Sequence, residues 1–225
     1  SIIIVSYNVC NYLRQCLQSV YKSNEFGSYE VIVIDNYSHN ISQSWHKIII
    51  NERINMIESK QIPVSSIDTT DSNNLEKLLV DIKPRRIIHT AAIPDARLSN
   101  IDPSAGFDQN VVATKNILEI IRRNNFQLDQ FTYLSSSMIY GDFKTETVDE
   151  EAPKNPKGIY GAAKLSSELL IKAYHNLIDL PYTIIRPSAL YGPRCINNRV
   201  TQIFIERALQ RKTIKIQGDG SQKLD

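Results

Sequence analysis

Seven short runs rich in β-branched residues punctuate this 225-residue chain, and longer stretches of helical period separate most of them. The runs fall at residues 2–5 (IIIV), 31–34 (VIVI), 62–64 (IPV), 86–89 (RIIH), 131–134 (FTYL), 182–185 (YTII) and 213–216 (TIKI). A run flanked by helices on both sides suits a parallel strand buried on both faces. The helical stretches read roughly as residues 8–22, 42–58, 72–82, 103–123, 159–178 and 199–210. This alternation predicts an α/β fold with a doubly wound, mostly parallel sheet. Right-handed crossovers then bring the strands' C-terminal ends to one edge, where such folds bind ligands. Local signals agree. Asp71 and Ser72 suit a helix start, Pro84 a helix stop, and Pro103 a first helical turn. The helix that Pro103 opens would place Val111, Thr114, Ile117, Leu118 and Ile121 on one stripe.

Composition narrows the function classes. The net charge of +2 gives no basic face for a nucleic acid. No apolar run approaches the ~20 residues of a membrane helix, and no secretory leader is apparent. Cys10, Cys16 and Cys195 are odd in number and match no zinc or redox spacing, which predicts reduced thiols, a cytoplasmic setting and no metal site. Ser1 stands directly before a strand and Asp225 follows a loop-like GDGSQKLD, so the chain reads as a fragment.

The sharpest chemical cluster is YGAAK, residues 160–164. Four residues apart on a helix, Tyr160 and Lys164 share one face. An ammonium beside a phenol favours the phenolate and lowers its pKa from about 10. The pair could then serve as a general base near neutral pH. Tyr140 and Lys144 repeat the spacing in YGDFK, without a helical pattern. Upstream, a strand ends in LSSSMIYG (residues 134–141), placing three hydroxyls at a strand tip, and another ends in RPSALYGPR (residues 186–194). Between strand and helix, residues 142–158 are charged and rich in Pro, and read as an exposed loop or a rim over the site.

RRIIHTAA (residues 85–92), NVVATKNILE (residues 110–119), SSSMIYG, YGAAK, RPSALYGPR and GDGSQKLD stand in an order and spacing that resembles the extended short-chain dehydrogenase/reductases of the NAD-dependent epimerase/dehydratase type. The resemblance covers about residues 47–225 and implies a Rossmann-like fold, cut before the C-terminal substrate domain. It implies Tyr160 as base, Lys164 on the nicotinamide ribose and Ser136 as the catalytic hydroxyl, with Ser137 beside it. Asp35, Asn36, Asp68, Ala91, Ala92 and Pro187 would meet the cofactor, NAD or alternatively NADP. Ser137 and Arg194 would meet a nucleotide-sugar substrate. The family's dimers imply a homodimer through the helices at residues 103–123 and 159–178. Ala189 stands where the family often carries Asn, which leaves the sugar open.

The first 40 residues differ. A dinucleotide site needs glycines after its first strand, yet SYNVCNYLRQ (residues 6–15) has none. SIIIVSYNVCNYLRQCLQSV with YEVIVIDNYS resembles the opening of a family 2 glycosyltransferase. The chain therefore divides into residues 1–40, a glycosyltransferase-like strand–helix–strand, and residues 41–225, an epimerase/dehydratase-like Rossmann domain. Asp35 is a ligand in either resemblance and a turn cap otherwise. A glycosyltransferase fragment and a non-catalytic α/β module stand as the alternatives to an epimerase or dehydratase.

Overall fold

A computed structural model describes residues 2–5, 30–36, 61–94, 96–143, 145, 147–188 and 200–216, with residues 48, 51, 52, 54, 55 and 57–59 between. Among them, β1 (Ile2–Val5), β2 (Val31–Ile34), β3 (Val64–Ser65), β4 (Arg86–His89), β5 (Gln130–Leu134) and β6 (Tyr182–Ile185) form one sheet in the order β3-β2-β1-β4-β5-β6. Every neighbouring pair is parallel. β1 takes β2 on one side and β4 on the other, so the strand order reverses there, which is the topological switch point of a doubly wound sheet. Residues 1–40 thus contribute two central strands.

The β-branched runs form strands because both sheet faces are covered. Successive residues feed opposite layers: Ile87 packs in a core with Leu75, Leu79, Ile117, Phe131 and Tyr133, whereas Ile88 packs against Ile4, Val31, Val33 and Ile62. Each fully buried aliphatic side chain contributes roughly 1.5–3 kcal/mol. Helix α1 (Ser72–Ile82) starts where the Asp71 carboxylate accepts from the Asn74 N–H at 3.2 Å. It ends at Lys83, in the left-handed region at φ 50°, just before Pro84. Next come α2 (Ala96–Ile101), α3 (Pro103–Phe107), a π-helical turn (Asp108–Val112) and α4 (Ala113–Arg123). The stripe expected on this stretch is buried, and so are Ala113, Asn116 and Ile120, because α4 is covered by α1 and by the helix Ile159–Ile178 as well as by the sheet. Helix α5 (Ile159–Ile178) and α6 (Val200–Leu209) complete the described elements.

Three expectations need correction. The run at residues 62–64 begins two residues later as a strand, at Val64, because Pro63 has no N–H to pair; its carbonyl still accepts from the Val33 N–H at 2.9 Å. Residues 213–216 are not a strand: Ile214 and Ile216 are exposed, and β6 ends the sheet with no partner on its outer edge among the described residues. The single helix expected at residues 103–123 carries a π turn. The helix expected at residues 8–22 lies outside the described residues. No helix among the described residues is long and apolar enough to cross a membrane.

Candidate functional site

Because all six strands run the same way, the residues that follow them emerge at one edge of the sheet. Asp35 and Asn36 follow β2, Asp68 follows β3, Ala91 and Ala92 follow β4, Ser136 and Ser137 follow β5, and Pro187 follows β6. Arg194 and Lys144 lie outside the described residues.

Helix α5 completes one cluster there. Its first turn rests on the 3-10 turn Ser137–Ile139: a Cβ on Gly161 would stand 2.6 Å from the Met138 carbonyl oxygen, so glycine permits the approach. Tyr160 and Lys164 are consequently buried, at 9% and 2% exposure. Lys164 Nζ donates to the carbonyl of Leu134, the last residue of β5, at 2.8 Å. It lies 4.8 Å from the ring centre of Tyr133 and 5.9 Å from that of Tyr160. Burial lowers the Lys164 pKa to about 7, against the opposing pull of the Glu168 charge. Ser136 caps the 3-10 turn, its Oγ accepting from the Met138 N–H at 3.2 Å, which leaves its own proton to donate. Ser137 N–H donates to the Pro187 carbonyl at 3.0 Å and ties the tips of β5 and β6 together. Ala91 and Ala92, at 3% and 2% exposure, keep the β4 tip small.

Asp68 centres a second cluster. Its carboxylate accepts from Asn36 Nδ2 (2.8 Å), from the N–H and Oγ1 of Thr70 (2.8 and 2.7 Å) and from Gln109 Nε2 (3.2 Å). These donors hold its pKa below the ordinary carboxylate value although partial burial acts the other way as the largest single influence. Gln109 stands on the π turn, so the irregular turn reaches this cluster. The Asp35 N–H donates to the Ser65 carbonyl at 3.1 Å.

Several residues were not singled out by the sequence. Ser135 Oγ is buried without a hydrogen-bond partner beside Ser136. Glu168 is 1% exposed and receives a two-pronged bond from Arg186, with Nε to Oε1 at 3.0 Å and Nη2 to Oε2 at 2.8 Å. Arg186 Nη1 also donates to the Tyr140 hydroxyl (2.8 Å) and to the Glu150 carbonyl (2.7 Å), fastening the rim loop to the β6 tip. Tyr140 is thereby a buried acceptor for Arg186. Their signal was present in the i,i+4 step from Lys164 to Glu168, but only the fold shows that Arg186 meets it. His89 is in the core, as its strand position implies. Thr114 Oγ1 donates to the Asn110 carbonyl (2.6 Å) and so accepts from His89 Nε2 (2.9 Å). Burial first, and Lys164 second, lower the His89 pKa to about 3.

A phenol, an ammonium and a hydroxyl donor at one strand tip can move a proton to or from a bound hydroxyl and stabilise the charge that results. Residues 16–225 match the profile of the NAD dependent epimerase/dehydratase family. That span takes in most of the stretch whose string resembles a glycosyltransferase opening. The chain is similar to a putative UDP-glucose 4-epimerase of Methanocaldococcus jannaschii, with 32% identity over 88% of this chain and 61% of the relative. It is also similar to a dTDP-glucose 4,6-dehydratase of Haemophilus influenzae, with 28% identity over 87% and 58%. The chain therefore spans about three fifths of the length of these curated relatives. Among solved structures, a UDP-glucuronic acid 4-epimerase of Bacillus cereus in complex with UDP-glucuronic acid and NAD superimposes with a TM-score of 0.82 at 28% identity, covering 100% of this chain and 68% of that one.

Proposed function

The chain belongs to the NAD-dependent epimerase/dehydratase family, and from that premise we propose that the protein works on a nucleotide sugar, as an epimerase or a dehydratase, with Tyr160 as its general base. The observation that carries this reading is the buried placement of Tyr160 and Lys164 at the tip of β5, one helical turn apart on the helix whose first turn rests on the 3-10 turn that Ser136 caps. Relatives whose names specify UDP-glucose, dTDP-glucose or UDP-glucuronic acid support the substrate class.

The residues present fit NAD at two of three points. Asp35, Asn36 and Asp68 form a polar, partly exposed group at the ends of β2 and β3, suited to the adenosine. Lys164 and Pro187, with the small Ala91 and Ala92, would hold the nicotinamide ribose and its ring. Residues 6–15, which follow β1 in the sequence and would meet the pyrophosphate, contain no glycine. NAD, when bound, supplies a reversible hydride acceptor.

The chain's own residues supply the proton chemistry. Tyr160 takes the proton of a sugar hydroxyl, Lys164 stabilises the phenolate, and Ser136 donates to the oxygen as it becomes a carbonyl. Ser137 and Arg194 orient the substrate. Arg194 belongs to this reading through its motif alone. We read residues 1–40 as the unit whose sequence lacks the family's glycine-rich stretch, and residues 41–225 as the part that carries the chemistry. We read the protein as a cytoplasmic homodimer through the helices at residues 103–123 and 159–178, on which Phe107 and Leu169 are exposed at 50% and 59%.

The test is Tyr160→Phe in the intact protein, assayed for interconversion or dehydration of UDP-glucose, UDP-glucuronic acid and dTDP-glucose. Loss of turnover with retained folding is expected; wild-type turnover in the variant would refute the role.

A further inference from the structure

Glu168 occupies a place that the proton chemistry above does not use. It is a buried carboxylate on α5, one helical turn beyond Lys164, with both oxygens engaged by the Arg186 fork. A buried ion pair often serves only to link elements, and this one does join α5 to the β6 tip. The surroundings of Lys164 give the pair a second consequence. From β5, Lys164 meets the Tyr133 ring and the Leu134 carbonyl, both uncharged. From β4 it faces His89, whose burial keeps it neutral and whose cation would repel it. From its own helix it meets Tyr160 and Glu168. Arg186, just after β6, grips that carboxylate with both prongs of its guanidinium. Burial disfavours the Lys164 ammonium, and Glu168 is the carboxylate that opposes this.

We propose that Glu168 is a positioning residue for the Tyr160–Lys164 pair: a buried carboxylate, oriented by Arg186, that holds the Lys164 ammonium on the Leu134 carbonyl within reach of the phenol. The inference rests on the reading of Tyr160 and Lys164 as the proton-transfer pair. It gives the rim loop a tie to the chemistry as well, since the same guanidinium binds Glu150.

The experiment is an NMR titration of Lys164 in the intact protein carrying lysine labelled at Cε and Nζ, the resonance being assigned by its loss in Lys164→Arg. Glu168→Gln should move the Lys164 midpoint down by about one pH unit or more. Arg186→Met should move it up, because Glu168 then lacks its other cation. Unfolding would instead expose Lys164 and raise its midpoint, so a downward shift in Glu168→Gln is not a sign of damage. Should Glu168→Gln fail to fold, the double variant Glu168→Gln/Arg186→Met removes both charges together, a change buried pairs often tolerate, and should show a smaller downward shift, because the loss of the cation offsets part of the loss of the carboxylate. An unchanged or raised midpoint in whichever of these two variants folds overturns the proposal. Turnover of Tyr160→Phe is read separately. A dead Tyr160→Phe with an unmoved Lys164 midpoint sinks the role of Glu168 alone, whereas an active Tyr160→Phe sinks the base assignment.

Discussion

Lys164 shows how burial and chemistry meet at one atom. Its amine titrates near 10.5 when unfolded and near 7 when folded, because leaving water disfavours the cation. Between those values the unfolded chain holds more protons, so stability rises with pH across that window, by up to ~1.4 kcal/mol per unit. Urea unfolding from pH 7 to pH 10 should show this slope, and Lys164→Met should flatten it. His89 works in the acid range. Its folded pKa of about 3 lies below its ordinary 6.5, so the unfolded chain again binds the extra proton and stability falls as pH drops from 6.5 towards 3. For Ser136, removal of the donor in Ser136→Ala should lower kcat by about 10²–10³ with KM little changed.

At the scale of elements, the first turn of α5 and the 3-10 turn after β5 are held together by the absence of a side chain at Gly161. Gly161→Ala would drive a Cβ against the Met138 carbonyl, with Pro156 Cβ also at 3.0 Å. The helix carrying Tyr160 would have to shift. A stability loss of about 1–3 kcal/mol by thermal or urea unfolding is expected, with a larger loss of turnover than of folded protein. Gly141 closes the other side of the same junction at φ +72°, where an added Cβ would stand 2.1 Å from the Asn155 carbonyl oxygen. The rim loop is thus locked where it leaves the sheet, although its charged sequence alone suggests a free connection. Strand β3 makes the complementary point. Its β-branched residues were legible, but its start depended on one missing donor at Pro63.

At the scale of the molecule, the parallel sheet places both clusters on one edge, while residues 6–15, which follow β1 in the sequence, lack the glycines that a bound pyrophosphate needs. Calorimetric titration of the protein with NAD should give weak binding, in the millimolar range or beyond, and replacing residues 6–13 with a glycine-rich turn should tighten it. Micromolar binding by the unaltered chain would overturn the expectation.

Taken by itself, the sequence determined the doubly wound class, four of the six strands to the residue, and helices α1 and α5 with their bounds, because burial on both faces and a 3.6-residue period leave marks in local residue order. It also determined Tyr160 and Lys164 as a facing pair, since an i,i+4 step is a local distance. Only the tertiary structure decided the grip of Arg186 on Glu168, the unpartnered Ser135 hydroxyl and the reach of Gln109 to Asp68. Those contacts join residues that are distant along the chain, or depend on how closely two elements approach, and nothing in residue spacing encodes that distance.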